Sequence, residues 1–227
     1  MTELHVLRVF LGPDGRGGNP LGVFLDGPAI APERRQEVAH ELGFSETVFV
    51  DEIVDASARV AIYTPGTELA FAGHPTVGSS WLLAEVGSPV TTLRVRAGDV
   101  ATWQDGDLTW IRARASWVHE LAIRQLSTAT EVDELSPGEL GDPGLYAWAW
   151  EDEASGRLRS RYFATDIGII EDEATGAAAV VLGDRLGRPL TIRQGTGSEL
   201  MVRPDPTSGT VHVGGRCRLD DVRVFAH

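Results

Sequence analysis

Phe71-Ala72-Gly73-His74-Pro75-Thr76-Val77-Gly78 finds an echo later in the chain, Ile170-Glu171-Asp172-Glu173-Ala174-Thr175-Gly176-Ala177. In both, a short approach leads into an elbow with Gly, Thr and an ionisable residue, and an Ala/Val/Leu-rich stretch follows. A helix start leaves backbone N–H groups unpaired and carries the positive end of the dipole, so each elbow is a candidate cradle for an anion. Two such elbows, one with His74 and one with Asp172, predict a site assembled between two similar halves.

Outward from the first elbow, Leu4–Leu11 alternates as a strand, and the Gly-rich run from Gly12 to Gly18 reads as a loop that needs flexibility. Pro32–Leu42 reads as a helix stopped by Gly43, with Val38, Ala39 and Leu42 inward and Arg34, Arg35 and Glu37 outward. Thr47–Val50 and Arg59–Thr64 are short strands. The helix opening at Pro75 is expected to bury a stripe of Val77, Trp81 and Ala84. Leu93–Ala97, Val100–Gln104 and Leu108–Ala113 form a meander with turns at Gly98-Asp99 and Asp105-Gly106. Residues 116–143 are the least regular and read as a connector between halves. Leu145–Trp150 and Leu158–Ala164 are strands, and the second elbow opens a helix running to about Leu186. Hairpin-linked strands with few helices predict an α+β fold rather than a doubly wound sheet.

Composition narrows the chemistry. A net charge of −13 argues against nucleic acid or an anionic membrane as partner. Arg157, Arg159 and Arg161, spaced by two, read as an exposed strand face. Every positive side chain is Arg and none is Lys, which excludes a lysine Schiff base and a Walker-type phosphate loop. Cys217 is the single cysteine, so neither a disulfide within the chain, a cysteine metal cluster nor a two-cysteine acid/base pair is available. Scattered histidines give no metal-ligand spacing. No apolar run reaches the length of a membrane span, and a cytoplasmic location is the expectation.

Ser45-Glu46-Thr47 sits at a helix–strand junction between Phe44 and the apolar Val48-Phe49-Val50. Partial burial there would lift the affinity of Glu46 for a proton and suit it to acid/base work, although a chain with 33 acidic residues offers many plain surface carboxylates. His74, between Gly73 and Pro75 at a helix mouth, is either a structural histidine or a catalytic one. Asp172 is either a helix-start acid or the partner that orients a catalytic group, and of Glu171, Asp172 and Glu173 at least one is expected to be simply solvated.

Gly18-Asn19-Pro20 after a first strand, Phe44-Ser45-Glu46-Thr47-Val48-Phe49, Phe71-Ala72-Gly73-His74-Pro75-Thr76 and Glu171-Asp172-x-x-Thr175-Gly176 occur in the order found in the PhzF-like phenazine-biosynthesis isomerases. The chain resembles that family from His5 to Val224, and Gln194-Gly195 and Val213-Gly214-Gly215 fit its later pattern. The resemblance implies a diaminopimelate epimerase-like α+β fold of two similar halves, each a mostly antiparallel sheet around a central helix, with a shortened second half. The halves would be 1–115, carrying Glu46 and His74, and 116–227, carrying Asp172. It further implies a cofactor-independent isomerase that moves a proton between carbons of a small carboxylated metabolite, and a homodimer. Glu46 would be the acid/base with His74 and Asp172 as partners. Gly73, Gly176 and Ala177 would hold the substrate carboxylate, and Asn19 and Ser45 would line the pocket. Ala177 stands where the family has Ser, and Glu173 where it has Pro. The alternative is a ligand-binding or regulatory protein that keeps the fold without turnover.

Overall fold

Punctuation by Pro and Gly sets the first elements. In α1 (Pro32–Leu42), Pro32 opens the helix, and Gly43 closes it at φ 67° with its N–H on the Ala39 carbonyl. The structure, a computed structural model, describes residues 1–139, 144–165 and 169–226, so positions 140–143 of the expected connector lie outside it. Around α1 the chain runs β1 (Thr2–Leu11), β2 (Gly17–Phe24), β3 (Glu46–Val54), β4 (Ser57–Tyr63) and β5 (Glu68–Leu69), then α2 (Gly73–Glu85). The meander follows as β6 (Thr92–Val95), β7 (Gly98–Asp105) and β8 (Leu108–Ala113). Then come β9 (Ala122–Gln125), α3 (Ala129–Glu134), β10 (Leu145–Asp152), β11 (Arg157–Ala164) and β12 (Ile169–Asp172). α4 (Gly176–Leu186), β13 (Leu190–Gln194), β14 (Ser198–Asp205) and β15 (Thr210–Phe225) complete the order. The architecture is α+β.

Pairing in β2–β8 recurs in β9–β15. β2 and β3 are parallel across α1, as β9 and β10 are across α3. β3–β4 and β4–β5 are antiparallel, as are β10–β11 and β11–β12. β4 and β6 are parallel across α2, and β11 and β13 across α4. Both series end in an antiparallel meander. β15 then pairs with β8 and with β1, tying the series together.

α2 runs inside this envelope. Gly73 to Ser80 are all buried, as are Leu82 and Leu83, whereas Trp81 and Ala84 are only partly covered. The expected one-sided stripe is therefore wrong, because the sheet wraps the first turns of the helix from every side. Arg35 also departs from expectation. It is buried against the Gly27 and Ile30 carbonyls, its guanidinium pairs with Asp51, and it lies over the Phe49 ring. Arg159 is likewise buried and bound to Asp133, and Arg161 holds Glu171 through two bonds of 2.8 and 2.7 Å. Only Arg157 of that alternating trio is exposed.

Candidate active site

Both elbows end at the same place. A Cβ on Gly73 would lie 2.7 Å from the Gly176 backbone, and one on Gly176 would lie 2.8 Å from Gly73 Cα. Only glycine permits two helix starts to touch in this way. Neither α2 nor α4 has a side-chain cap at its N-terminus. Thr175, at the cap position of α4, instead donates to Asp172 Oδ2 at 2.6 Å. The first-turn N–H groups of two helices, with their dipole ends, thus converge with no side-chain oxygen to cap them.

Glu46, the first residue of β3, lies beside this junction with its side chain 15% exposed. Burial pushes its pKa from 4.5 to about 7, against a smaller lowering by a hydrogen bond from Ser45. The single Ser45 hydroxyl proton is also within reach of Asn19 Oδ1 at 3.1 Å, so it serves one acceptor at a time. His74 is fully enclosed by α2's surroundings, and its Nδ1 stands 3.4 Å from Glu46 Oε2. Burial lowers its pKa to about 4, outweighing the opposing pull of Asp172 and a hydrogen bond to the Pro20 carbonyl. At neutral pH the imidazole is therefore uncharged, and the Glu46–His74 contact is not an ion pair. Glu46 Oε2 and His74 Nε2 have no hydrogen-bond partner among the described residues.

Asp172 approaches from the end of β12. Asn19 Nδ2 donates to its Oδ1 at 2.7 Å and to the Ala174 carbonyl at 2.9 Å. Burial first, and Glu46 second, raise the Asp172 pKa to about 6, while His74, Thr175 and Asn19 pull it down. Asp172 therefore precedes the helix as an oriented carboxylate and does not cap it. Gln194, fully buried at the end of β13, braces the elbow by donating to the Asp172 carbonyl and accepting from Thr175 N–H. Thr175 and Gln194 were missed as site residues. The signals that could have found them are their places in the Glu171-Asp172-x-x-Thr175-Gly176 and Gln194-Gly195 motifs.

Glu46, Asp172, Thr175 and Ala177 share a cavity of about 420 Å³ whose apolar wall includes Phe71, Trp117 and Tyr162, with Arg96 and Glu68 also on its lining. A second recess, about 760 Å³, contains Asn19, Ser45 and the far side of Asp172. Glu46 opens onto the smaller cavity. Gly73 and Gly176 are buried beneath it in mutual contact. None of the three consecutive acids is simply solvated: Glu171 is held by Arg161, Asp172 by Asn19, and Glu173 by the Thr196–Ser198 turn. Among the described residues no group of three metal-binding side chains gathers, and no helix is long and apolar enough to cross a membrane.

A family model described as a phenazine biosynthesis-like protein, PhzC-PhzF, matches residues 13–109. Trans-2,3-dihydro-3-hydroxyanthranilate isomerase of Pseudomonas aeruginosa is 32% identical over 221 residues, covering 81% of this chain and 80% of the relative. A phenazine biosynthesis protein of the PhzF family from Bacillus anthracis superposes with a TM-score of 0.80 at 20% identity, over 99% of both chains. A probable proline racemase from Agrobacterium radiobacter shares the fold at a TM-score of 0.66 and 14% identity, over 100% of this chain and 93% of its own. With its ordered motifs, its fold and this degree of identity over about four fifths of both chains, the chain belongs to the PhzF-like family.

Proposed function

We propose that the chain is a cofactor-independent isomerase that moves a proton between carbons of a small carboxylated metabolite. The observation that carries this reading is Glu46: a buried carboxyl with its pKa at about 7, opening onto a partly enclosed cavity beside the junction of two uncapped helix starts. A group half-protonated at neutral pH serves both as base and as acid. The substrate carboxylate would rest on the N–H groups around Gly73, Gly176 and Ala177, which favour negative charge. Charge building on the substrate as the proton leaves would then meet fixed dipoles. Neutral His74 would exchange hydrogen-bonding roles with Glu46 as the proton moves, and Asp172 would orient the opposite wall.

The repeated topology supports a single proton carrier. β10 opens on Leu145 where β3 opens on Glu46, and α4 has Ala177 as its second residue where α2 has His74. A scaffold of two similar halves, 1–115 and 116–227, would thus carry its acid/base in the first half and Asp172 in the second. A homodimer in the cytoplasm belongs to the same proposal.

The name of the Pseudomonas relative supplies the first compound to test. Wild type and Glu46→Gln would be incubated in D₂O with trans-2,3-dihydro-3-hydroxyanthranilate and a panel of carboxylated metabolites, followed by proton NMR. Turnover or deuterium uptake with the wild type, and neither with the variant despite retained binding, is the expected result. Equal activity in Glu46→Gln would refute the mechanism. Binding without exchange by the wild type across the panel would favour a ligand-binding protein, a role that the missing hydroxyl at Ala177 also suits.

A further inference from the structure

We infer that Glu173 is a positioning residue for Asp172, acting through Ser198 and the Gly18–Asn19 backbone; its link to catalysis rests on the isomerase reading above. Consecutive side chains at 172 and 173 leave the chain in different directions and are rejoined through other segments. Glu173 Oε1 accepts from Thr196 N–H at 2.9 Å, Thr196 Oγ1 at 3.0 Å and Ser198 Oγ at 2.9 Å. Its Oε2 also accepts from Thr196 N–H at 3.0 Å. The fully buried Ser198 hydroxyl passes this on, because its Oγ accepts the Gly18 N–H at 2.8 Å. Asn19 is the next residue, and its Nδ2 donates to Asp172. The path Glu173–Ser198–Gly18–Asn19–Asp172 therefore closes on itself.

Sterics hold the same three segments together. A Cβ on Gly17 would fall 2.4 Å from Ser198 N, and one on Gly195 would fall 2.3 Å from Glu173 Oε2. Gly12 and Gly17 of the Gly-rich run before Asn19 thus serve close approach to the 195–198 turn. Acceptors alone are needed where Glu173 sits, and only a carboxylate offers them on both oxygens. An amide at this position would turn N–H groups toward the donors of the turn. The negative charge at residue 173 is thereby used up in the turn and does not face the anion cradle.

The test follows the Asp172 side-chain carbon by ¹³C NMR titration in the full chain, for wild type, Glu173→Gln, Ser198→Ala, Asn19→Ala and the double variant Glu173→Gln/Asn19→Ala. Asp172 is also faced by Glu46 from β3, His74 from α2 and Tyr146 from β10, and all three stay in every variant. Sign separates the mechanisms. Losing the neighbouring charge of Glu173 by itself lowers the Asp172 midpoint, whereas losing the Asn19 donor raises it above its wild-type value of about 6. The expected result is a raised midpoint in Glu173→Gln and in Ser198→Ala, no further rise when Glu173→Gln is added to Asn19→Ala, and exchange of the Gly18 amide faster by about tenfold or more. A lowered or unchanged midpoint in Glu173→Gln, or a rise of full size in the Asn19→Ala background, would overturn the inference. Should Glu173→Gln not fold, Ser198→Ala decides alone by the same criterion. The titration needs no substrate, so a wild type without turnover would defeat the isomerase reading and leave this result intact.

Discussion

Replacing Glu46 by Gln should stabilise the protein increasingly as pH rises, and the size of the effect follows from its burial. The folded pKa, about 7, lies above the unfolded value of 4.5. Folding therefore favours the protonated form, and this contribution is whole below pH 4.5 and is eroded as pH climbs through about 7. The penalty for burying the charge is roughly 1 kcal/mol at pH 5 and roughly 3 kcal/mol at pH 8, from about 1.4 kcal/mol per pKa unit. Gln has the shape of the protonated acid and carries no such penalty. His74 works in the opposite sense: its folded pKa is depressed, so its contribution is present above 6.5 and lost as pH falls through about 4. The wild-type profile mixes these two with Asp172, whose pKa Glu46 helps to raise, so the difference between wild type and variant reports Glu46 together with its coupling to Asp172. Urea unfolding of each protein at pH 5 and at pH 8 should show the gap widening in favour of Glu46→Gln by roughly 2 to 3 kcal/mol. A gap of the same size at both pH values would mean that Glu46 is not buried as an acid, and the proton-carrier role would lose its physical basis.

Three further outcomes are expected. Gly73→Ala places a methyl 2.7 Å from the Gly176 backbone and should cost about 1–3 kcal/mol in urea unfolding as the helix starts are forced apart; an unchanged midpoint would show that they do not touch. Gln194→Ala strips the Thr175 N–H of its acceptor and the Asp172 carbonyl of its donor, and should cost about 2 kcal/mol or more by the same measurement, with a loss below half that amount counting against the brace. Ala177→Ser adds a hydroxyl beside the helix junction and should tighten a carboxylate ligand by about 1 kcal/mol, roughly fivefold in Kd by calorimetry, whereas no gain would remove Ala177 from the carboxylate's contacts.

Legibility in the sequence followed the range of the forces involved. Pro32 with Gly43, and the Gly-Asp turns of the meander, act locally, so α1 and β6–β8 were readable from neighbouring residues. The character of α2 was not, because Thr76, Ser79 and Ser80 look like a polar face while the sheet buries them from outside. Arg159 looked exposed for the same reason: its partner Asp133 lies on another element, in α3. In the site, Glu46 could be singled out by its apolar flanks, and His74 and Asp172 by their elbows. What each does depends on contacts between segments far apart in sequence, such as Asn19 with Asp172 and Gly73 with Gly176. Glu173 stands where the resemblance expects Pro, and its role depends on the Thr196–Ser198 turn, which lies far along the chain.

The central claim is that one carboxyl, Glu46, both removes and returns the proton. It is tested most directly with a substrate deuterated at the carbon that loses its proton, turned over in ordinary water and analysed by mass spectrometry. Glu46 is largely shielded from water, so return of the same deuteron competes with exchange. Product that retains deuterium at the receiving carbon, with no product at all from Glu46→Gln, is the expected result. Complete loss of the label at every stage of the reaction, or label transfer that survives in Glu46→Gln, would contradict it.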